Sequence, residues 1–191
     1  MDFIFDSFKT SISLIFSFDM EVFQTAWTSL SVSILATVFA SILGIPFGLI
    51  LAVARFPLKR VAIVILNTLM ALPTVVIGLV VYGFISRQGP LGQWGLLFTP
   101  TAIVIGLTIL AFPIVANYAL SSIKGADKRI IPTLMTLGAS PMQGYIQLIS
   151  EMRFGVMAAV IAGFGRVIAE IGIAMMLGGN IRGYTRTMTT A

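Results

Sequence analysis

An all-α integral membrane protein is the fold class this sequence predicts, and three observations predict it. Hydrophobic residues make up 58% of the 191 residues and charged residues 10%, against about 25% charge in a soluble domain. Mean hydropathy is +1.02. Four apolar stretches, at Val22–Ala54, Val61–Ser86, Leu97–Ser121 and Phe154–Gly178, reach the roughly 20 residues that cross a hydrocarbon core.

Before the first stretch, Met1–Phe18 places Asp2 and Asp6 ahead of its apolar run. A secretory signal would carry basic residues there and a small-residue cleavage site. Residues 1–21 are instead read as an interfacial or elbow helix, anchored by Phe3, Phe5, Phe8, Leu14 and Phe16. Residues 22–191 then form the membrane domain. The first span is longer than it needs to be, so Gly44 and Pro46 are expected to kink or tilt it. Pro73 and Pro113 fall inside the second and third spans, where each frees a backbone carbonyl that neighbours or water must satisfy. Two readings stay open for both prolines: an ordinary kinked helix, or a bent helix lining a pathway.

Basic residues orient the spans. Arg55, Lys59 and Arg60 follow the first; Lys124, Lys128, Arg129 and Arg153 follow the third; the 87–99 loop offers Arg87 alone. The positive-inside rule puts the two basic loops in the cytoplasm. The 87–99 loop and the 179–191 tail are then external. The closing Thr189-Thr190-Ala191 carries no basic anchor, so a fifth span returning to the cytoplasm is expected beyond it.

Between residues 122 and 153 lies a basic helix–turn–helix with a legible turn. Gly138 suits the left-handed position just past a helix end. Ser140 suits an N-cap, Pro141 the first helical position, and Gln143 the third, which completes a capping box. A stiff polar hairpin on the cytoplasmic face is a docking surface for a soluble partner. Thr136, Leu137, Gly138, Ala139, Ser140, Pro141 and Gln143 are its candidate coupling residues.

Several function classes are excluded. No Gly-x-x-x-x-Gly-Lys-Ser/Thr loop occurs, so the usual ATP site is absent. Gly89-Pro-Leu-Gly92 reads as a turn, and Gly163-Phe-Gly165 lies within a helix. With no histidine and no cysteine, thiol nucleophiles, disulfides, His-based metal sites and imidazole catalysis drop out. No cofactor or metal is expected. The net charge of +5 is scattered through short loops without a basic stripe, which argues against nucleic acid.

One charged constellation enters a span. Arg166 and Glu170 stand four apart and are expected to share one face of a continuous helix. An isolated charge at the bilayer centre costs roughly 2.5–3.5 kcal/mol on insertion scales, so lipid exposure of the pair is disfavoured. Either the two satisfy each other at a helix contact, or they line or gate a polar path. Just beyond, Gly178, Gly179 and Asn180 should end the helix, with Arg182 and Arg186 outside it. That stretch is either a solvated outer loop or a contact for an external partner, with Asn180 and Arg182 the candidates.

The hairpin resembles the EAA loop of ABC importer permease subunits. Gly138 takes the loop's glycine position, and Leu137-Gly138-Ala139-Ser140-Pro141 is typical of it. Two positions depart: Pro132-Thr133-Leu134 stands where Glu-Ala-Ala would be, and Glu151 where a proline usually closes the motif. Three further runs are similar to molybdate and tungstate permeases: Gly165-Arg166 through Glu170-Ile-Gly172, Gly178 through Thr185, and Leu72-Pro73 through Gly78-Leu79. The Tyr184–Thr190 ending is nearest the tungstate group. The resemblance covers about Ser29 to Ala191. It implies a MetI-like transmembrane domain working as a homodimer in the inner membrane, in contact with lipid, with a path between two copies. It also implies cytoplasmic ABC ATPase subunits on the hairpins and a periplasmic or surface-anchored oxyanion-binding protein outside. Hydrolysis would belong to the ATPase, so this chain is not expected to be an enzyme.

A sulfate or other oxyanion permease is the alternative within that superfamily. A channel or a structural membrane subunit is the alternative from another class. A channel needs a carbonyl or charged ring for selectivity, and none is visible. An intramembrane enzyme would need the very side chains this chain lacks.

Overall fold

The computed structural model describes residues 19–54, 56–127 and 129–191, and the elbow helix expected within residues 1–18 lies outside them. Among the described residues the regular structure is helical, with no strand. The first helix, α1 (Met20–Val53), starts where the Asp19 carboxylate accepts from the amides of Glu21, at 2.9 Å, and Val22, at 3.3 Å. The domain boundary expected after residue 21 therefore falls in its first turn. The helix runs 34 residues through Pro46 as one element. At its far end Lys59 Nζ donates to the carbonyls of Ala52 and Ala54, both at 2.9 Å. This supplies donors and positive charge where a helix end is short of both.

The second long helix, α4 (Pro100–Lys124), is capped by the Thr99 hydroxyl with Pro100 at its first position, and Pro113 does not interrupt it. It is the centre of the molecule, packed by α1 along its length and by every other membrane helix. Contacting faces are built of small residues: Ala36 and Ala40 on α1, Ala111, Ala116 and Ala119 on α4 are all fully buried. Small residues let backbones approach closely where no hydrophobic drive separates protein from lipid. Gly48 shows how closely, because a Cβ there would stand 2.6 Å from the Ala116 carbonyl oxygen. The outward face of α1, with Leu35, Phe39, Ile42 and Ile50, is left exposed.

Two expected spans are broken rather than continuous. Val61–Ser86 divides into α2 (Lys59–Met70) and α3 (Thr74–Ile85), bent by 99°. Pro73 sits at the break, in extended geometry as the N-cap of α3. A proline disfavours helical geometry at the residue before it and cannot donate to the preceding turn. The ordinary kinked helix is thus overturned for Pro73, whereas Pro113 stays inside an uninterrupted α4. Leu72 and Pro113 line one apolar cavity of about 290 Å³ with Leu43, Leu69 and Ile77, so the two prolines' neighbourhoods meet.

Phe154–Gly178 likewise divides into α7 (Arg153–Ile168) and α8 (Gly172–Gly178). Arg166 and Glu170 therefore do not share a continuous helix. By length and composition two helices, α1 and α4, can cross a membrane alone. The pair α2 and α3 qualifies only together, as does α7 joined to the preceding hairpin helix across a 69° bend.

Candidate functional site

The hairpin consists of α5 (Ile130–Thr136) and α6 (Pro141–Glu151). Asp127 accepts from the Arg129 amide ahead of α5. Pro132, the residue that departs from the loop pattern, is the third residue of α5. Amides in a first turn have no intrahelical acceptor, so proline costs little there. The turn follows local chemistry throughout. Gly138 has φ 88°, the amide of Gly138 donates to Met135 at 3.1 Å, and that of Ala139 to Leu134 at 3.0 Å. These two bonds define a Schellman ending. Ser140 Oγ accepts from the Gln143 amide at 3.4 Å, and Gln143 Oε1 accepts from the Ser140 amide at 2.8 Å. The expected capping box is present, with Pro141 at the first helical position.

The hairpin has two faces. Gly144 and Leu148 of α6 point inward, and Leu148 lines a cavity of about 310 Å³ with Ala52, Lys59, Lys124, Asp127 and Ile131. Outward stand Leu137, Met142 and Ile146, with 78%, 66% and 56% of their surface exposed. Apolar side chains this exposed, on a tip bounded by polar groups, form a surface suited to contact with another molecule. The sequence motif located the turn; these outward residues, Met142 and Ile146, carried no signal of their own.

A second polar centre forms at the break between α7 and α8. Arg166 donates to Glu170 Oε2 at 2.8 Å, and Glu170 Oε1 accepts from the amides of Gly172, at 3.1 Å, and Ile173, at 3.4 Å. Glu170 therefore caps the start of α8 while pairing with Arg166. Its carboxylate is buried, at 5% exposure, whereas the arginine side chain is 41% exposed. The start of α3 approaches the same place, since a Cβ on Gly172 would stand 3.5 Å from Thr74 Oγ1. So Arg166, Glu170 and the Pro73 break converge, while Pro113 is buried in α4 beside the apolar cavity.

The tail beyond α8 exposes residues 181–184 and then packs back onto the helices. Thr185, Thr187 and Thr190 are buried at 1%, 4% and 8% exposure. Their hydroxyls bond to backbone and to one another, with Thr185 Oγ1 donating to the Gly178 carbonyl at 2.6 Å. The Met188 amide donates to Ser29 Oγ on α1 at 2.6 Å, and Thr189 Oγ1 donates to the Glu170 carbonyl at 3.0 Å. Arg182 and Arg186 both pair with Glu21 in the first turn of α1, and Arg186 also donates to Asn180. The hydrogen bond and charge of Glu21 raise the Arg182 guanidinium above its already high value, so its cationic state is permanent. Asn180, at φ 50°, holds the turn after Gly179. Of the two candidate partner-contact residues, Asn180 accepts from Arg186 within the tail, and Arg182 pairs with Glu21 of α1 while its side chain stays 72% exposed. Glu21, Ser29 and the buried threonines were missed from sequence, because scattered hydroxyls read as loop. The tail meets the beginning of α1 and the hairpin meets its end, so the two features stand at opposite ends of a 34-residue helix.

Among the described residues, no group of three or more His, Cys, Asp or Glu is arranged to hold a metal ion. No protein-family model matches the chain. Curated proteins do. The tungstate uptake system permease protein TupB of Peptoclostridium acidaminophilum is 38% identical over all 191 residues, which cover 84% of that relative. Its counterpart in Campylobacter jejuni is 40% identical over the same 191 residues, covering 80% of it. The molybdenum transport system permease protein ModB of Escherichia coli K12 is 27% identical over 176 residues, 88% of this chain and 77% of the relative. Identity of this extent over the whole chain, on an apolar helical scaffold with a capped hairpin, means that the chain belongs to the ABC importer permease family.

Proposed function

We propose that this chain is the permease subunit of an importer of tungstate or molybdate, with another oxyanion such as sulfate the alternative. The observation that carries the reading is full-length identity at 38% and 40% to two tungstate uptake permeases. Two copies of a MetI-like domain enclose the path; this sequence supplies four spans to each, with α2–α3 counted as one broken span, and a fifth follows them. Each hairpin seats in a groove of a cytoplasmic ATPase, which performs the hydrolysis. Leu137, Met142 and Ile146 supply the apolar contact, and the Gly138 and Ser140 caps supply stiffness. A lever that frays transmits little displacement, so both helix ends at the turn need their partners. A separate protein delivers the oxyanion at the opposite end, where the tail and the first turn of α1 form the outer surface.

The test is reconstitution of the complete permease with its ATPase in liposomes, with hydrolysis measured against binding protein loaded with tungstate, molybdate or sulfate. Stimulation by the tungstate-loaded protein is expected. Stimulation by sulfate alone would move the chain to the sulfate permeases. An assembled complex that responds to none would overturn the oxyanion reading.

A further inference from the structure

We propose that Arg166 is the cation a tetrahedral oxyanion dianion meets inside the permease, and that Glu170 is a fixed counter-charge that keeps this hold loose. The inference rests on the importer reading and assigns its transit contact. It begins with an asymmetry within one ion pair. Glu170 is 5% exposed and held through both oxygens: one takes Arg166, the other takes the amides of Gly172 and Ile173. Its main-chain carbonyl is held as well, by Thr189. The acid cannot swing. Arg166 is 41% exposed and makes one hydrogen bond among the described residues, through one nitrogen of a group with five N–H donors.

Position sharpens the point. Arg166 lies 13 residues beyond Arg153, roughly 20 Å along α7 at about 1.5 Å per residue, inside an apolar stretch. An arginine at such depth faces a protein interior or a water-filled cavity, not lipid tails. The surface beside it is open. Gly165 has no atom within 4 Å of where its Cβ would stand, and the neighbouring Ala162 and Ala169 are small. An unused guanidinium edge over open small-residue surface fits two oxygens of a tetrahedral anion side by side.

The counter-charge answers a transport requirement. A bare cation in a low-dielectric path would trap a dianion, whereas conduction needs binding weak enough to release. Glu170 lowers the local field without being able to move out of the way. Replacing it with glutamine isolates this role, because the amide oxygen can still accept from Gly172 and Ile173 while the charge is gone.

The absence of cysteine from the sequence allows a clean readout. Gly165→Cys and Ala169→Cys are made singly and the complete complex is reconstituted in liposomes. Each is then treated with a negatively charged methanethiosulfonate, with and without sodium tungstate, in nucleotide-free and ATP-bound states. Modification of this chain that tungstate slows is expected. Adding Glu170→Gln should move that protection to lower tungstate by about tenfold, the effect of unmasking one partly buried charge, and slow uptake. The double variant R166Q/E170Q removes both charges without stranding either. It should fold and co-purify with the ATPase, yet lose protection and most uptake, while Arg166→Lys retains part of both.

No modification in either state would mean the face is covered by lipid or a second copy, and would overturn the proposal. Modification that tungstate never slows would mean an interfacial arginine reaching for headgroups, and would overturn it equally. So would wild-type uptake by the double variant. A wild-type complex indifferent to tungstate would instead sink the importer's substrate reading, which separates the two failures.

Discussion

Gly138 carries more than any other residue of the hairpin, and for conformational rather than steric reasons. Its φ of 88° is one that residues with a side chain rarely adopt, and nothing stands within 4 Å of where a Cβ would be. Left-handed geometry costs an L-residue about 1–2 kcal/mol, and a β-branched residue more, so substitution acts through the turn alone. Gly138→Val is expected to insert and assemble normally while uptake per ATP hydrolysed falls severalfold. Gly138→Asn should stay near wild type, since asparagine tolerates this region. Parallel measurement of hydrolysis and uptake in liposomes checks both. This turn was fully legible in the sequence because every interaction in it spans five residues or fewer. Glu170 was legible only by half. Its spacing from Arg166 announced the ion pair, but its second task, capping α8, depends on a helix break that spacing cannot reveal.

Among elements, the contact of α1 with α4 sets the geometry of everything else. At Gly48 a Cβ would press on the Ala116 backbone, and to a lesser degree on Leu120 and Ala119, none of which can turn aside. Overpacking of this kind costs about 1–3 kcal/mol. Gly48→Val should lower the thermal unfolding midpoint in detergent by several degrees, while Ile42→Val on the exposed face of α1 should leave it unchanged. The expected spans located the apolar segments well, within a few residues at α1 and α4. They failed where proline was concerned. Pro46, Pro73 and Pro113 look alike in sequence, yet one ends a helix and two are absorbed. The difference lies in what packs around each, which is tertiary information.

On the scale of the whole molecule, the chain is a multi-pass protein of the cytoplasmic membrane whose hairpin end and tail end are built differently. The hairpin end is held by local caps. The tail end is held by contacts between residues more than 150 positions apart, such as Arg186 with Glu21 and Met188 with Ser29. No local pattern could announce those, which is why the tail reads as a loop. Glu21→Gln removes the anionic partner of two arginines at once. Partly exposed pairs contribute about 0–1 kcal/mol each, so the fold should survive. Amide hydrogen exchange over residues 181–190 is expected to quicken severalfold, with the hairpin unaffected.

The length of α1 has a consequence of its own. Its 34 residues extend about 51 Å at 1.5 Å per residue, against a hydrocarbon thickness of about 30 Å. Glu21 is held at one end by two arginines and the last carbonyls are gripped by Lys59 at the other, so neither end is free to unwind. A helix longer than its bilayer is thick responds to membrane thinning or thickening by tilting, by kinking or by deforming the lipid around it, and the packing of α1 along α4 makes tilt a shared response. The inclination of α1, and of the α4 packed along it, is thereby tied to the acyl-chain length of the surrounding lipid.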